Sequence, residues 1–175
     1  MKADDVLKAR SEMFGINDLK KGETVIKHHT VWNDASCPFK VKTIELNDLD
    51  EIKRYIGNEN NHFLKGVLKQ SSNMDLAATI KEITPENVHN AANAYVYGNS
   101  KPLQHLKGQI EKVICPITVH VAEEDKIVIS EPLVIDPGSP KQLIANQIVF
   151  QDKGEIICYG VLGITAGAIV NTKTE

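Results

Sequence analysis

The stretch from residue 154 to residue 172 constrains this chain most, because it is almost free of charge. Glu155 is the single charged residue among its 19 positions. The stretch is rich in isoleucine, alanine and glycine, and an apolar strand of this kind must be covered. A bare strand edge pairs with other chains unless lysine, proline or a bulge protects it. The segment is therefore predicted to be either part of a core or a surface that meets another molecule.

A short repeat runs through this segment and the residues before it. Three isoleucines are spaced eight residues apart, and a second row follows two positions after each of them: Ile148, Ile156 and Ile164, then Phe150, Cys158 and Ala166. Side chains two apart in a strand share a face, so the spacing predicts successive strands with two apolar rows. An antiparallel sheet or sandwich and a short parallel β-helix are both compatible with it. Antiparallel pairs are commoner, which favours the first.

Short helices are expected in residues 1–112. Residues 1–15 are predicted to form an N-terminal helical arm, with acidic residues in its first turn and Gly15 at its end. Residues 47–55 carry apolar side chains at helical spacing and stop before Gly57. Thr84 and Pro85 are typical of a helix start, and residues 100–113 have a weaker helical pattern.

The remaining residues favour strands. Residues 23–32 are rich in β-branched side chains, and residues 37–46 alternate, as half-buried strands do. The chain becomes β-rich from about residue 113, where a hairpin with its tip at residues 123–125 is predicted. These patterns together predict an α+β fold in which residues 16–175 form a single domain after the arm.

Composition argues against several classes of partner. The chain of 175 residues has 20 basic and 23 acidic residues, a net charge of -3, which disfavours nucleic acid as a partner. Its longest apolar run, residues 156–170, is shorter than the roughly 20 residues that cross a bilayer, so no membrane association is expected. Three widely spaced cysteines form no disulfide framework, and residues 1–14 lack a secretory signal. A cytoplasmic location is expected.

No motif in the sequence defines an activity. The glycine patterns of phosphate-binding loops and of the hydrolase nucleophile turn are absent, and the histidines are scattered rather than spaced as zinc ligands. No metal, cofactor or catalytic residue is therefore predicted. Cys37, which follows His28 and His29 along the chain, is the candidate nucleophile of an alternative hypothesis, a cysteine-dependent enzyme.

Carbohydrate or small-ligand binding is a further alternative. A binding module of this kind stacks exposed aromatic rings on its ligand, and Trp32 and Tyr97 are the candidates. Aromatic residues make up only 5% of the chain, so such a surface would have few rings to use. This composition makes ligand binding the weaker hypothesis.

The charge-free segment favours a non-enzymatic structural role. We expect the protein to associate with itself, as a homo-oligomer or a larger ordered assembly, through the apolar C-terminal β segment. The interface candidates are Ile156, Tyr159, Ile164 and Ile169. A lysine at Ile164 should then separate the two hypotheses, because it unfolds a core but disassembles an interface.

Overall fold

The computed structural model describes residues 3–16, 21–33, 35–57 and 78–173. Within them, the helices are α1 (Ala3–Met13), α2 (Leu49–Ile56), α3 (Val88–Tyr97), a 3-10 helix (Lys101–Leu106) and α4 (Lys107–Ile114). The strands are β1 (Glu23–Ile26), β2 (Thr30–Val31), β3 (Val41–Leu46), β4 (Ile117–Ile129), β5 (Leu133–Ile135), β6 (Lys141–Phe150), β7 (Ile156–Cys158) and β8 (Leu162–Asn171). The chain divides into two compact units. The first consists of Met1–Ile44 and Thr118–Glu175, and the second consists of Glu45–Ile117.

The strands form two sheets between which the chain alternates. One sheet has the order β1-β4-β6-β8, with β3 also paired to β4, and the other has the order β2-β5-β7. His120 pairs with Lys141 and Lys141 pairs with Leu162, so the chain returns to the same place in the first sheet after 21 residues. The ladders along both orders are parallel. The first unit is therefore a stack of coils that wind in one direction.

The predicted α+β fold with an antiparallel C-terminal sheet or sandwich is wrong. The sheets are parallel, and with four helices among the described residues the protein is α/β-like. The predicted hairpin is also absent, because β4 runs on through Glu123 and Glu124, which pair with Ile144 and Ala145 of β6. Alternating apolar side chains look the same in parallel and antiparallel strands, so the alternation could not reveal the direction.

The rows inferred from the eight-residue spacing are wrong as well. Ile148 pairs with Ile127 and Ile169, whereas Ile164 pairs with Leu143. Ile156 lies in the other sheet, opposite Leu133 of β5. The eight-residue spacing is instead the step from one side of the coil to the next, so the three isoleucines lie on three different strands.

The interior of the coils is a continuous apolar core. It is formed by buried side chains that face inward from β4, β5 and β6: Ala122, Ile127, Ile129, Leu133, Ile135, Leu143, Ala145 and Ile148. Because paired residues of parallel strands point the same way, each inward side chain stacks on its counterpart one coil away. This stacking sets which residues of the last coil face the interior.

The pairing in the first sheet is interrupted at one position in each of β4, β6 and β8. The skipped residues are Asp125, Asn146 and Gly167. Ala145 pairs with Glu124 and Ala166 before this position, and the pairing resumes at Gln147 after it. Asn146 Nδ2 donates to Asp125 Oδ1 at 2.7 Å. Leu143 and Ala145 face inward before the bend, and Ile148 and Phe150 do so after it. The inward set therefore changes parity here, as expected where a strand turns a corner.

The helix predicted for residues 1–15 is present as α1. It packs against β6 and β8, and its Leu7 and Ser11 are buried, as are Phe14 and Ile16 just after it. Lys42 Nζ donates a hydrogen bond to the Phe14 carbonyl oxygen at 2.8 Å. The arm therefore covers the side of its own coil.

The second unit is helical, and its helices begin where local chemistry favours them. The helix predicted for residues 47–55 is confirmed as α2, since the Asp48 carboxylate accepts hydrogen bonds from two backbone amides of its first turn. The helix predicted from Thr84 begins later, as α3. Asn87 Oδ1 accepts from the Thr84 amide at 2.8 Å, which closes a turn around Pro85 before the helix starts.

Candidate self-association site

The last coil, residues 156–171, lies at one end of both sheets. Among the described residues, β8 pairs with β6 alone and β7 pairs with β5 alone. The outer backbone N–H and C=O groups of the ten-residue strand β8 consequently form an open edge. Such an edge is a ready template for another strand.

The interior core is open to solvent at this end. Ile164 continues the inward row of Leu143, and Ile169 continues the row of Ile127 and Ile148. In the preceding coils these rows are buried, but Ile164 is 43% exposed and Ile169 is 60% exposed. Both side chains are placed as core residues with no coil stacked above them among the described residues.

The neighbouring surface is apolar and carries no charge. Six large hydrophobic side chains are exposed among the described residues, and four of them lie in the last coil: Tyr159, Val161, Ile164 and Ile169. Residues 156–172 contain no charged side chain. The edge therefore lacks the lysines and prolines that normally keep a strand from pairing with another chain.

Gly167 lets the last coil lie close to the coil before it. A Cβ atom at this position would lie 2.7 Å from the backbone oxygen of Asn146 and 3.6 Å from Leu7 Cδ2 of α1. Only glycine fits at the corner without displacing the backbone of the previous coil. The terminal coil thus packs closely against the coil before it and against α1 at this corner.

The first coil has the opposite character. Ile26 pairs with Ile129 and Thr30 pairs with Leu133, so β1 and β2 contribute to the same interior rows. Here the inward side chains are covered, with Ile26 at 1% and Trp32 at 3% exposure. The Trp32 ring packs on Phe39 with 5.1 Å between the ring centroids. The core is therefore closed at this end and open at the other.

The four interface candidates all belong to the last coil. Ile164 and Ile169 lie on β8, Tyr159 lies in the link between β7 and β8, and Ile156 is half-buried on β7 against the interior core. Sequence reasoning missed Val161, which adds an exposed apolar side chain to the same link. Its position inside the charge-free segment was the available signal.

The candidate ligand and enzyme residues lie elsewhere. Trp32 is enclosed in the interior core, so its ring has no free face for stacking on a sugar. Tyr97 ends α3 in the second unit and is half-buried, and this burial raises the pKa of its hydroxyl. Cys37 is half-buried and packs against the interior core of the coils.

A groove of about 550 Å³, lined mostly by charged residues, lies beside β1, at residues that sequence reasoning did not single out. Its lining includes Lys40, Lys42, Glu123 and Glu124. Glu124 accepts hydrogen bonds from the Thr24 hydroxyl at 2.8 Å and the Lys40 amide at 3.4 Å. Burial, opposed by nearby Lys42, raises the pKa of the Glu123 carboxyl. The Glu124 contacts connect the segments that line the groove.

No group of three or more histidine, cysteine, aspartate or glutamate side chains in the described residues could hold a metal ion. Within the same residues, every helix is too short or too polar to cross a membrane. Comparisons of the chain with protein-family models, with curated proteins and with solved structures found no match. Function is therefore inferred from the geometry of the last coil.

Proposed function

We propose that this protein is a non-enzymatic structural component that associates with itself through its last coil. One observation carries the proposal: the interior rows of the stack end at Ile164 and Ile169, which are exposed although they occupy core positions. A second copy placed on this end would continue the core and cover both side chains.

Burial of apolar surface supplies the driving force. Each square ångström of apolar surface removed from water contributes about 25 cal/mol. Contact with a second copy would remove apolar surface from water at four exposed side chains: Tyr159, Val161, Ile164 and Ile169. The open edge of β8 adds backbone hydrogen bonds, whose partners would otherwise be water.

The composition of the coil favours another copy of the chain as the partner. A charged partner surface would bring its charges against residues 156–172, which have none to pair with them. Burying an unpaired charge is costly, so an apolar, uncharged partner surface is required. The same coil on a second molecule has these properties.

Sedimentation velocity with two matched lysine variants tests this proposal. We expect the wild-type protein to sediment as an oligomer and Ile169→Lys to sediment as a folded monomer. Val113→Lys is the control, because Val113 is exposed to a similar extent but lies on α4. It should remain oligomeric. A monomeric wild type at the highest soluble concentration, or equal oligomerisation of all three proteins, would overturn the proposal.

We also propose a reducing, cytoplasmic location. The support is that no disulfide joins the three cysteines, Cys37, Cys115 and Cys158, and that Cys158 is exposed. Exposed thiols are retained where the compartment keeps them reduced. Thiol labelling of the protein extracted from cells under acid quench should modify Cys158, and a disulfide there would contradict this location.

A further inference from the structure

We infer that two copies meet through their last coils about a twofold axis, with β8 paired antiparallel to β8 of the second copy, as a closed dimer. This inference rests on the proposed self-association and adds its partner surface, symmetry and register. It follows from the difference between the two ends of the stack and from the position of the apolar side chains along β8.

Head-to-tail stacking is disfavoured by the first coil. In a filament, the last coil of one copy would stack on the first coil of the next copy, and the core of that first coil would have to be open to receive it. That core is closed, because Ile26 and Trp32 are buried and Phe39 packs on the Trp32 ring. Glu23 at the start of β1 and Lys27 just after its end also place charges where an uncharged β8 would have to pair. Among the described residues, the surface that matches the last coil is therefore the last coil of another copy.

Two identical edges match each other when they are related by a twofold axis. Such an axis turns one copy of β8 antiparallel to the other, and an antiparallel ladder satisfies the outer N–H and C=O groups of both strands. Contacts of this kind use the same surface on each subunit and close after two copies. The assembly should therefore stop at a dimer.

The length of β8 selects the register. If all ten residues pair, Leu162 lies opposite Asn171 of the second copy, and Ile164 lies opposite Ile169 of the second copy. Both exposed isoleucines then gain an apolar neighbour at once. The corner at Gly167 lies next to the middle of β8 and divides it into two halves. The same axis therefore pairs the first half of β8 in one copy with the second half of β8 in the other copy.

Charge complementation tests this register. Ile164→Lys and Ile169→Glu should each weaken the dimer by roughly 100-fold, because each leaves a charge against an apolar side chain. An equimolar mixture of the two should recover dimers, because the introduced lysine of one copy then faces the introduced glutamate of the other and the two remaining isoleucines face each other. The matched control is a mixture of Ile164→Lys with Ile164→Glu, in which the new charges are not opposite and recovery should fail. Circular dichroism establishes that each variant is folded.

The outcomes separate this inference from the proposed function. A monomeric wild type would overturn both. Wild-type species that keep growing with concentration would overturn the closed dimer and leave self-association standing. Equal recovery in both mixtures, or recovery in neither, would overturn the register. Hydrogen exchange on the wild type adds a measurement without substitutions. The backbone amides on the open edge of β8, which do not bond to β6, should become protected as protein concentration rises, and unchanged exchange there would contradict strand pairing.

Discussion

Ile148 and Ile169 occupy paired positions on adjacent strands, yet Ile148 is 1% exposed and Ile169 is 60% exposed. Both face the interior of the coils. The difference arises because β8 covers Ile148, whereas among the described residues no strand lies beyond Ile169. One row of stacked inward side chains thus contains a core residue and a surface residue.

Truncating these two isoleucines should therefore have unequal effects. Ile148→Ala leaves a cavity and should lower the free energy of unfolding by about 2–4 kcal/mol. Ile169→Ala should lower it by less than about 1 kcal/mol in the monomer, because most of that side chain is already in water. Urea unfolding at a monomeric protein concentration measures both. Equal losses would show that Ile169 is covered within its own chain.

Lys141 and Asp136 form an ion pair whose two members should respond differently to removal. Lys141 is fully buried, with its Nζ 3.2 Å from Asp136 Oδ1 and 3.0 Å from the Ser139 carbonyl oxygen. Asp136→Ala leaves a buried ammonium without a counterion and should cost about 3–5 kcal/mol of unfolding free energy. Lys141→Met leaves Asp136 Oδ1 buried without its partner, but it should cost less, because the Asp136 side chain as a whole is 23% exposed and its Oδ2 still accepts from Asn33 Nδ2 at 2.6 Å. Urea midpoints in the reverse order would contradict this account.

Gly154 allows the link between β6 and β7 to pass close to β4. A Cβ atom there would lie 1.7 Å from the Ile129 carbonyl oxygen, so Gly154→Ala should cost at least about 3 kcal/mol or prevent folding. Gly108 provides the control, since a Cβ atom there meets nothing within 4 Å. Gly108→Ala should stabilise α4 by about 0.5–1 kcal/mol. Thermal unfolding followed by circular dichroism compares them, and similar shifts for both variants would contradict the predicted clash.

Local chemistry made the helices predictable, because capping and helical spacing involve neighbours in sequence. Gly57 ends α2 as the pattern predicts, and the structure adds Asp48 as the residue that caps its start. α3 begins at Val88, a few residues after the predicted start, and Thr84 and Asn87 bond to each other in the turn that precedes it.

The winding of the chain could not be predicted in the same way. Glu23 of β1 pairs with Lys126 of β4, and the second unit lies between them in sequence. Pairings over such distances leave no local signal, and alternation does not record strand direction. The charge-free segment, predicted from composition to be either core or interface, coincides with the terminal coil. Its open core became visible only from the register of Ile164 and Ile169.

Lys53 should make the stability of the second unit depend on pH. Its Nζ donates to the carbonyl oxygens of Tyr95, Val96 and Gly98, at 3.0, 3.3 and 2.6 Å. Burial lowers the pKa of this amine from 10.5 to about 8, against the opposing attraction of Asp50. Between about pH 8 and pH 10.5, the Lys53 amine is protonated in the unfolded chain and deprotonated in the folded chain. The free energy of unfolding therefore increases as pH rises. From about pH 7 to about pH 9.5 the gain should be about 2 kcal/mol.

Urea unfolding of the wild type and of Lys53→Met across this range isolates the effect. Methionine has no proton to release, so the difference in unfolding free energy between the two proteins should change steadily with pH, in favour of the wild type. Other titrating groups are present in both proteins and cancel in the difference. The measurement should follow the helical circular dichroism signal, because Lys53 lies on α2 of the helical unit. Parallel curves for the two proteins would mean that folded Lys53 keeps its proton, held by the three carbonyl groups at the end of α3.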